Sequence, residues 1–297
     1  MPEQQDIRRK FASEHINNAV FYVPFAYLYQ VRLGTPWKFL SWLFIYLMPC
    51  AFFGWMANCS GISVGAWLYA LNFGCLALAI VTLYELGYIF NDTFAARREP
   101  MPSIRLYEIN ADYFYARTSL VVAVRLIIAA AALWLFVHIG LRFSPEELAP
   151  YLMRTLDSVL IIIPIFAVYN YWRGKWNVLL YPLLLFSRYL PFLLPYECSA
   201  CHAVLLFMCV PCLSAIERFS MPKHRFPLVR HIIPSEESKT MFRVCYYIVL
   251  CAALAGLVYF KFLCSYKVLI PFVLLLLYRL CVAVLTRYHH PKNYLNG

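Results

Sequence analysis

Residues 65–92 read GAWLYALNFGCLALAIVTLYELGYIFND. From Gly65 to Tyr84 there is no Asp, Glu, Lys or Arg. About 20 such residues, rising 1.5 Å each as a helix, cross the roughly 30 Å hydrocarbon layer of a bilayer. Charge appears only at the far end, as Glu85 and then Asp92. The stretch therefore reads as a membrane-spanning helix that delivers two acids to one face of the membrane.

Working outward, seven further apolar stretches accompany 65–90, at 37–57, 114–138, 149–171, 175–196, 199–216, 241–261 and 267–287. They are long and continuous, whereas barrel strands are about 10 residues of alternating polarity. The composition agrees: 63% of the 297 residues are hydrophobic and 14% charged, against about 25% charged in soluble domains. The expected fold is all-α, a polytopic transmembrane bundle of about eight helices forming one membrane domain over 1–297. The polar N-terminus and its amphipathic lead-in do not have the pattern of a cleavable signal peptide.

Basic residues set the expected orientation. With the N-terminus inside, 19 Lys and Arg fall on the cytoplasmic side and 4 (Arg142, Arg154, Lys261, Lys267) outside; Arg125, Arg188 and Arg279 lie within helices. The positive-inside rule then places both termini in the cytoplasm. The net charge of +11 is accounted for by topology and anionic headgroups, so no nucleic-acid partner is expected.

Two charged loops, 91–113 and 217–240, follow the second and sixth helices on the same expected face. Glu85, Asp92 and Glu99 recur every seven residues and share a face while the helix continues. Acids near a helix end, beside Arg97, Arg98 and Arg105, suit a magnesium ion with a phosphate ester: the metal takes one or two carboxylates, and arginines grip the remaining oxygens. The other account is a solvated helix end with ordinary ion pairs. The second loop opens with Glu217 and continues through Lys223, His224, Arg225 and Arg230. It reads either as a headgroup anchor or as a second carboxylate with a phosphate clamp. Asp157 and Arg188 lie at similar depth, about 12 Å from the outer face by helical rise, and are expected to pair. Cys198, Cys201 and His202 form CxxCH, a spacing open to packing, disulfide, metal or haem.

The layout resembles the UbiA superfamily of intramembrane prenyltransferases. Arg32-Leu33-Gly34-Thr35-Pro36 resembles its R-x-x-x-P segment, Asn91-Asp92 the start of its N-D-x-x-D-x-x-x-D motif, and Glu217 the start of its D-x-x-x-D motif. Ala95 and Met221 stand where the motifs carry acids, and Glu99 replaces the last Asp. Pro102-Ser103-Ile104-Arg105, with a one-residue shift, resembles a P-T-x-R stretch of the branch that moves phosphoribose from phosphoribosyl diphosphate to polyprenyl phosphate. The resemblance implies Mg²⁺ on Asn91, Asp92, Glu99 and Glu217, with Asp92, Glu99 and Glu217 as the catalytic acids. It implies Arg97, Arg98, Arg105, Lys223 and Arg225 as substrate-binding cations. The expected activity is phosphoribosyl transfer onto a polyprenyl phosphate from a phosphorylated donor, at a cytoplasm-facing site in a bacterial inner membrane. The alternatives are prenyl transfer from a prenyl diphosphate to a small aromatic acceptor, a lipid-binding scaffold that has lost its metals, and a transporter.

Overall fold

The computed structural model describes residues 16–58, 65–95, 105–140, 148–171, 177–196, 198–220, 227–233, 235–263 and 265–288. The described residues are almost all helical, and none is in a strand. The chain divides into two compact units, Met1–Arg173 with Ser187–Ser199, and Gly174–Phe186 with Ala200–Gly297.

The first unit contains α1 (Pro36–Asn58), α2 (Ala66–Phe90), α3 (Glu108–Gly140), α4 (Leu148–Leu160) and α5 (Ile162–Tyr171). α2 packs along α3 more extensively than any other pair does. Asn72, buried in α2, ties this pair together: its amide donates to the Phe136 carbonyl at 2.7 Å and its oxygen accepts from the Tyr196 hydroxyl at 2.8 Å. α4 and α5 are one apolar run interrupted at Ile161. Pro164 has no N–H to give to the Leu160 carbonyl, which is where the ladder breaks.

The amphipathic lead-in is part of the core. It forms a 3-10 turn (Asn18–Phe21) capped by Asn17, then a wide helical turn (Leu28–Leu33). Gly34 ends that turn at φ +71°, with its N–H on the Tyr29 carbonyl at 2.7 Å, a left-handed conformation that a Cβ would strain. Val20, Phe21 and Tyr27 are buried with Leu86 and Ile89 of α2 and Phe114 and Val121 of α3.

The second unit contains most of α6 (Asn177–Ser187), then α7 (Ala200–Cys209), α8 (Pro211–Phe219), α9 (Pro227–Ile232), α10 (Glu236–Tyr259) and α11 (Ile270–Tyr288). Ser235 caps α10 by accepting the Ser238 N–H at 3.1 Å, and α10 packs along α11.

By length and composition, six helices of the described residues can cross a membrane, or seven if α7 and α8, bent by 42°, form one broken span. This is the architecture of a multi-pass membrane protein. The expected count of eight is not reached among the described residues, and the shortfall lies at the fifth stretch. There α6 has 11 residues, about 16 Å by helical rise. It gives way to 3-10 turns at Leu190–Phe192 and Leu194–Tyr196. Pro191 and Pro195 each remove a backbone donor there, which favours the break.

Candidate functional site

The end of α2 and the wide helical turn that follows it (Asn91–Ala95) present two acids in different surroundings. Glu85 is 1% exposed. It accepts the backbone N–H groups of Leu28 at 2.7 Å and Phe25 at 3.0 Å, and it pairs with Arg125 of α3. Arg125 is fully buried and donates its other hydrogens to carbonyls of the lead-in, to Phe21 at 2.8 Å, Val20 at 2.9 Å and Val23 at 3.1 Å. Phe25 holds φ +66°, unusual for an aromatic residue. Its N–H on Glu85 and the Arg125 contacts to neighbouring carbonyls offset that strain. This knot satisfies a buried charge pair and the irregular backbone above it together, which is the condition for either to persist in a low-dielectric interior.

Two turns on, Asp92 is held from three sides. Arg32 donates to Oδ1 at 2.7 Å, Arg105 reaches the same oxygen at 3.4 Å, and the Tyr27 hydroxyl donates to Oδ2 at 2.9 Å. The Asn91 amide is 3.3 Å from Oδ1. The Asp92 side chain is 1% exposed, Arg32 15% and Arg105 35%, so the cluster opens through Arg105. Burial, and then the adjacent Arg32 charge, lowers the Arg105 guanidinium from its usual value, against the pull of Asp92. Burial raises the Tyr27 phenol well above its usual value, and the Asp92 charge adds to this, so Tyr27 is a neutral donor. Two guanidiniums face one carboxylate, and the cluster carries an excess positive charge. Arg32 also lies over the Tyr88 ring, 4.2 Å from its centroid.

Beside the Glu85 knot is a narrow cleft lined by Trp42, Tyr46, Tyr84, Glu85, Tyr88 and Arg188, among others. Its free space is the room of roughly one water molecule.

No family model matches the chain, and no curated protein or solved structure matches it.

Of the residues expected at the site, Asn91, Asp92 and Arg105 come together. Arg97, Arg98, Glu99, Lys223 and Arg225 lie outside the described residues. Glu217 belongs to the second unit, where its two oxygens take Arg243 in a bidentate pair at 2.6 and 2.8 Å. The expected magnesium ligands fall only in part within the described residues, since Glu99 lies outside them and Glu217 belongs to the second unit. No group of three His, Cys, Asp or Glu converges among them, and both oxygens of Asp92 already carry strong donors.

Asp157 is exposed, and Arg188 lies instead among three tyrosine rings, so the expected pair does not form. Helical rise misjudged it because α6 ends at Ser187 and Arg188 sits in the following turn. Cys198 and Cys201 are both free thiols, and burial pushes Cys198 up to about 12. The pairing of Glu85 with Arg125, and the parts played by Arg32 and Tyr27 at Asp92, were not foreseen. The signal for the first was available: a Glu and an Arg inside apolar helices each need a partner.

Proposed function

We propose that the chain is a membrane-embedded transferase acting on a polyprenyl phosphate, with phosphoribosyl diphosphate as donor and a relationship to the UbiA superfamily. The observation that carries this reading is the convergence of Arg32 and Arg105 on Asp92 beside Asn91 at the end of α2. An excess guanidinium charge at a half-open helix end suits a phosphate or diphosphate. An oxygen of the lipid phosphate attacks the anomeric carbon, the bond from that carbon to the diphosphate breaks, and diphosphate leaves with the electron pair. Arg105, the more exposed cation, meets the charge that develops on the leaving group. No step is routed through magnesium, because the described residues do not form its ligand set.

The test is transfer in proteoliposomes with labelled phosphoribosyl diphosphate and polyprenyl phosphate, read as labelled lipid and released diphosphate. Arg105→Gln is expected to lower kcat/KM by about 10²-fold, the effect of losing one preorganised charge contact. Absence of turnover, with geranylgeranyl diphosphate and an aromatic acceptor equally inert, refutes the enzyme. One observation favours a second reading, a lipid-binding scaffold that kept this architecture: both oxygens of Asp92 are occupied by side chains of its own unit. In that case polyprenyl phosphate binds and is released unchanged.

A further inference from the structure

The cleft beside Glu85 contains a cation with no acid to match it. Arg188 enters from the turn after α6, and three rings crowd its guanidinium: Tyr46 at 4.8 Å, Tyr189 at 5.3 Å and Tyr84 at 5.8 Å from the centroids. Glu85 lines the same cleft, but Arg125 and the N–H groups of Phe25 and Leu28 already engage it. Among the described residues no carboxylate pairs with Arg188, and its buried Nε has no hydrogen-bond partner. Ring faces solvate a cation more weakly than an anion does. The site is also deep: Tyr84 is six residues before Phe90, about 9 Å into the bundle from the Asp92 end. An arginine at such depth without a counter-charge marks a place for one to arrive.

We infer that this cleft seats the phosphate of a lipid-linked phosphate monoester, held by Arg188, with its apolar tail against the aromatic walls. This rests on the transferase reading above and assigns one cation centre to each substrate. A sugar diphosphate brings several charges and hydroxyls, and one guanidinium among rings would leave most of them unpaired, at a high desolvation cost. A lipid phosphate brings one or two charges and a tail that the walls match. The donor then belongs to Arg32 and Arg105, at the more exposed end. Tyr88 borders both places, lining the cleft and carrying Arg32 over its ring. The space for about one water means that a phosphate enters only when a wall side chain moves. Trp42 is the half-buried candidate, packed on Tyr46 with centroids 4.8 Å apart.

The test is equilibrium binding to the full chain in nanodiscs, with polyprenyl phosphate, phosphoribosyl diphosphate and inorganic phosphate measured separately. Arg188→Gln is expected to raise the Kd for polyprenyl phosphate by about tenfold or more, the loss of one charge-assisted contact, while the Kd for phosphoribosyl diphosphate stays within about twofold. Arg105→Gln is expected to do the reverse. Lipid affinity that is unchanged in Arg188→Gln overturns the assignment. So does inorganic phosphate competing as well as the lipid, which would make free phosphate the ligand. If Arg188→Gln does not fold, Trp42→Ala opens the rim without touching the charge. It should speed lipid association, and an unchanged rate also overturns the proposal. Wild-type binding through Arg188 without any transfer would leave this site standing and refute the transferase. Transfer with an Arg188-independent lipid Kd would do the opposite.

Discussion

Replacing Arg125 with Leu removes the centre of the Glu85 knot. The substitution strips the counter-charge from a carboxylate that is 1% exposed and the donors from the carbonyls of Val20, Phe21 and Val23. Breaking a buried pair on one side costs about 3–5 kcal/mol. Each carbonyl left dry adds about 1–3 kcal/mol. Lifting the lead-in away lets these polar groups meet water and relieves both costs. The response is therefore local opening of residues 18–33 rather than loss of the bundle. With about 1.4 kcal/mol per factor of ten, loss of the ion pair alone should raise opening by roughly 10²–10³-fold, and the dry carbonyls raise it further. Hydrogen exchange in nanodiscs, followed on peptides that contain the Phe25 and Leu28 amides, measures this directly. Adding Glu85→Gln to Arg125→Leu removes the stranded charge and should slow exchange again, part of the way to wild type. Exchange in Arg125→Leu within about threefold of wild type, or a double variant no slower than the single, would show that the ion pair does not fasten the lead-in.

Three further outcomes are expected. Asp92→Asn leaves Arg32 and Arg105 facing each other without an acid, at a cost of about 1–2 kcal/mol since both are partly solvated; millimolar inorganic phosphate should raise its melting temperature less than that of wild type, because the two guanidiniums are no longer held in place, and equal shifts count against an anion site there. Gly87→Ala puts a Cβ 2.7 Å from the Phe166 ring, so overpacking between α2 and α5 should lower stability by about 1–3 kcal/mol in thermal unfolding; an unchanged midpoint means that Phe166 yields freely. Cys198, with its thiol pushed up to about 12, is about 10⁻⁴ thiolate at pH 8, so iodoacetamide should label it about tenfold faster per pH unit between 8 and 10; fast labelling at pH 8 contradicts its burial.

Much of the architecture is legible from local rules, because apolar length alone identifies a span. α2 is the clearest case, with no Asp, Glu, Lys or Arg before Glu85. The fifth stretch shows the limit of that rule. Residues 175–196 are as apolar as their neighbours, but Pro191 and Pro195 decide the local backbone, and hydropathy does not register a missing N–H. The place of the lead-in in the core is not legible for a related reason. Its turns carry no strong helical period, and what fixes them is Glu85 and Arg125, from 57 to 105 residues further along the chain. At the site, the grouping of Asn91, Asp92 and Arg105 follows from nearness in sequence. Arg32 and Tyr27 join it only through the fold. Arg188 was noticed as a buried charge, yet its neighbours are aromatic and not Asp157, because a turn replaces the helix on which its depth was reckoned.

What Asp92 is bound to separates phosphate binding from metal binding at this site. A metal needs a lone pair on Asp92, and each oxygen already accepts a side-chain donor, Oδ2 from Tyr27 at 2.9 Å and Oδ1 from Arg32 at 2.7 Å. A phosphate needs only N–H donors. Arg105 has five of these in a rigid fork, gives one to Asp92 at 3.4 Å, and keeps 35% of its side chain exposed. An anion can therefore join the cluster without displacing anything, whereas a cation would sit beside two guanidiniums and share the carboxylate with them. Asp92 acts in this arrangement as a positioning group that holds two guanidiniums at a separation their mutual repulsion would otherwise widen. Asp92→Asn should then weaken diphosphate binding through misplaced arginines, and Asp92→Glu, which keeps the charge, should restore much of it. An acid serving only as a metal ligand predicts a different pattern, with diphosphate affinity without added metal the same in wild type and Asp92→Asn.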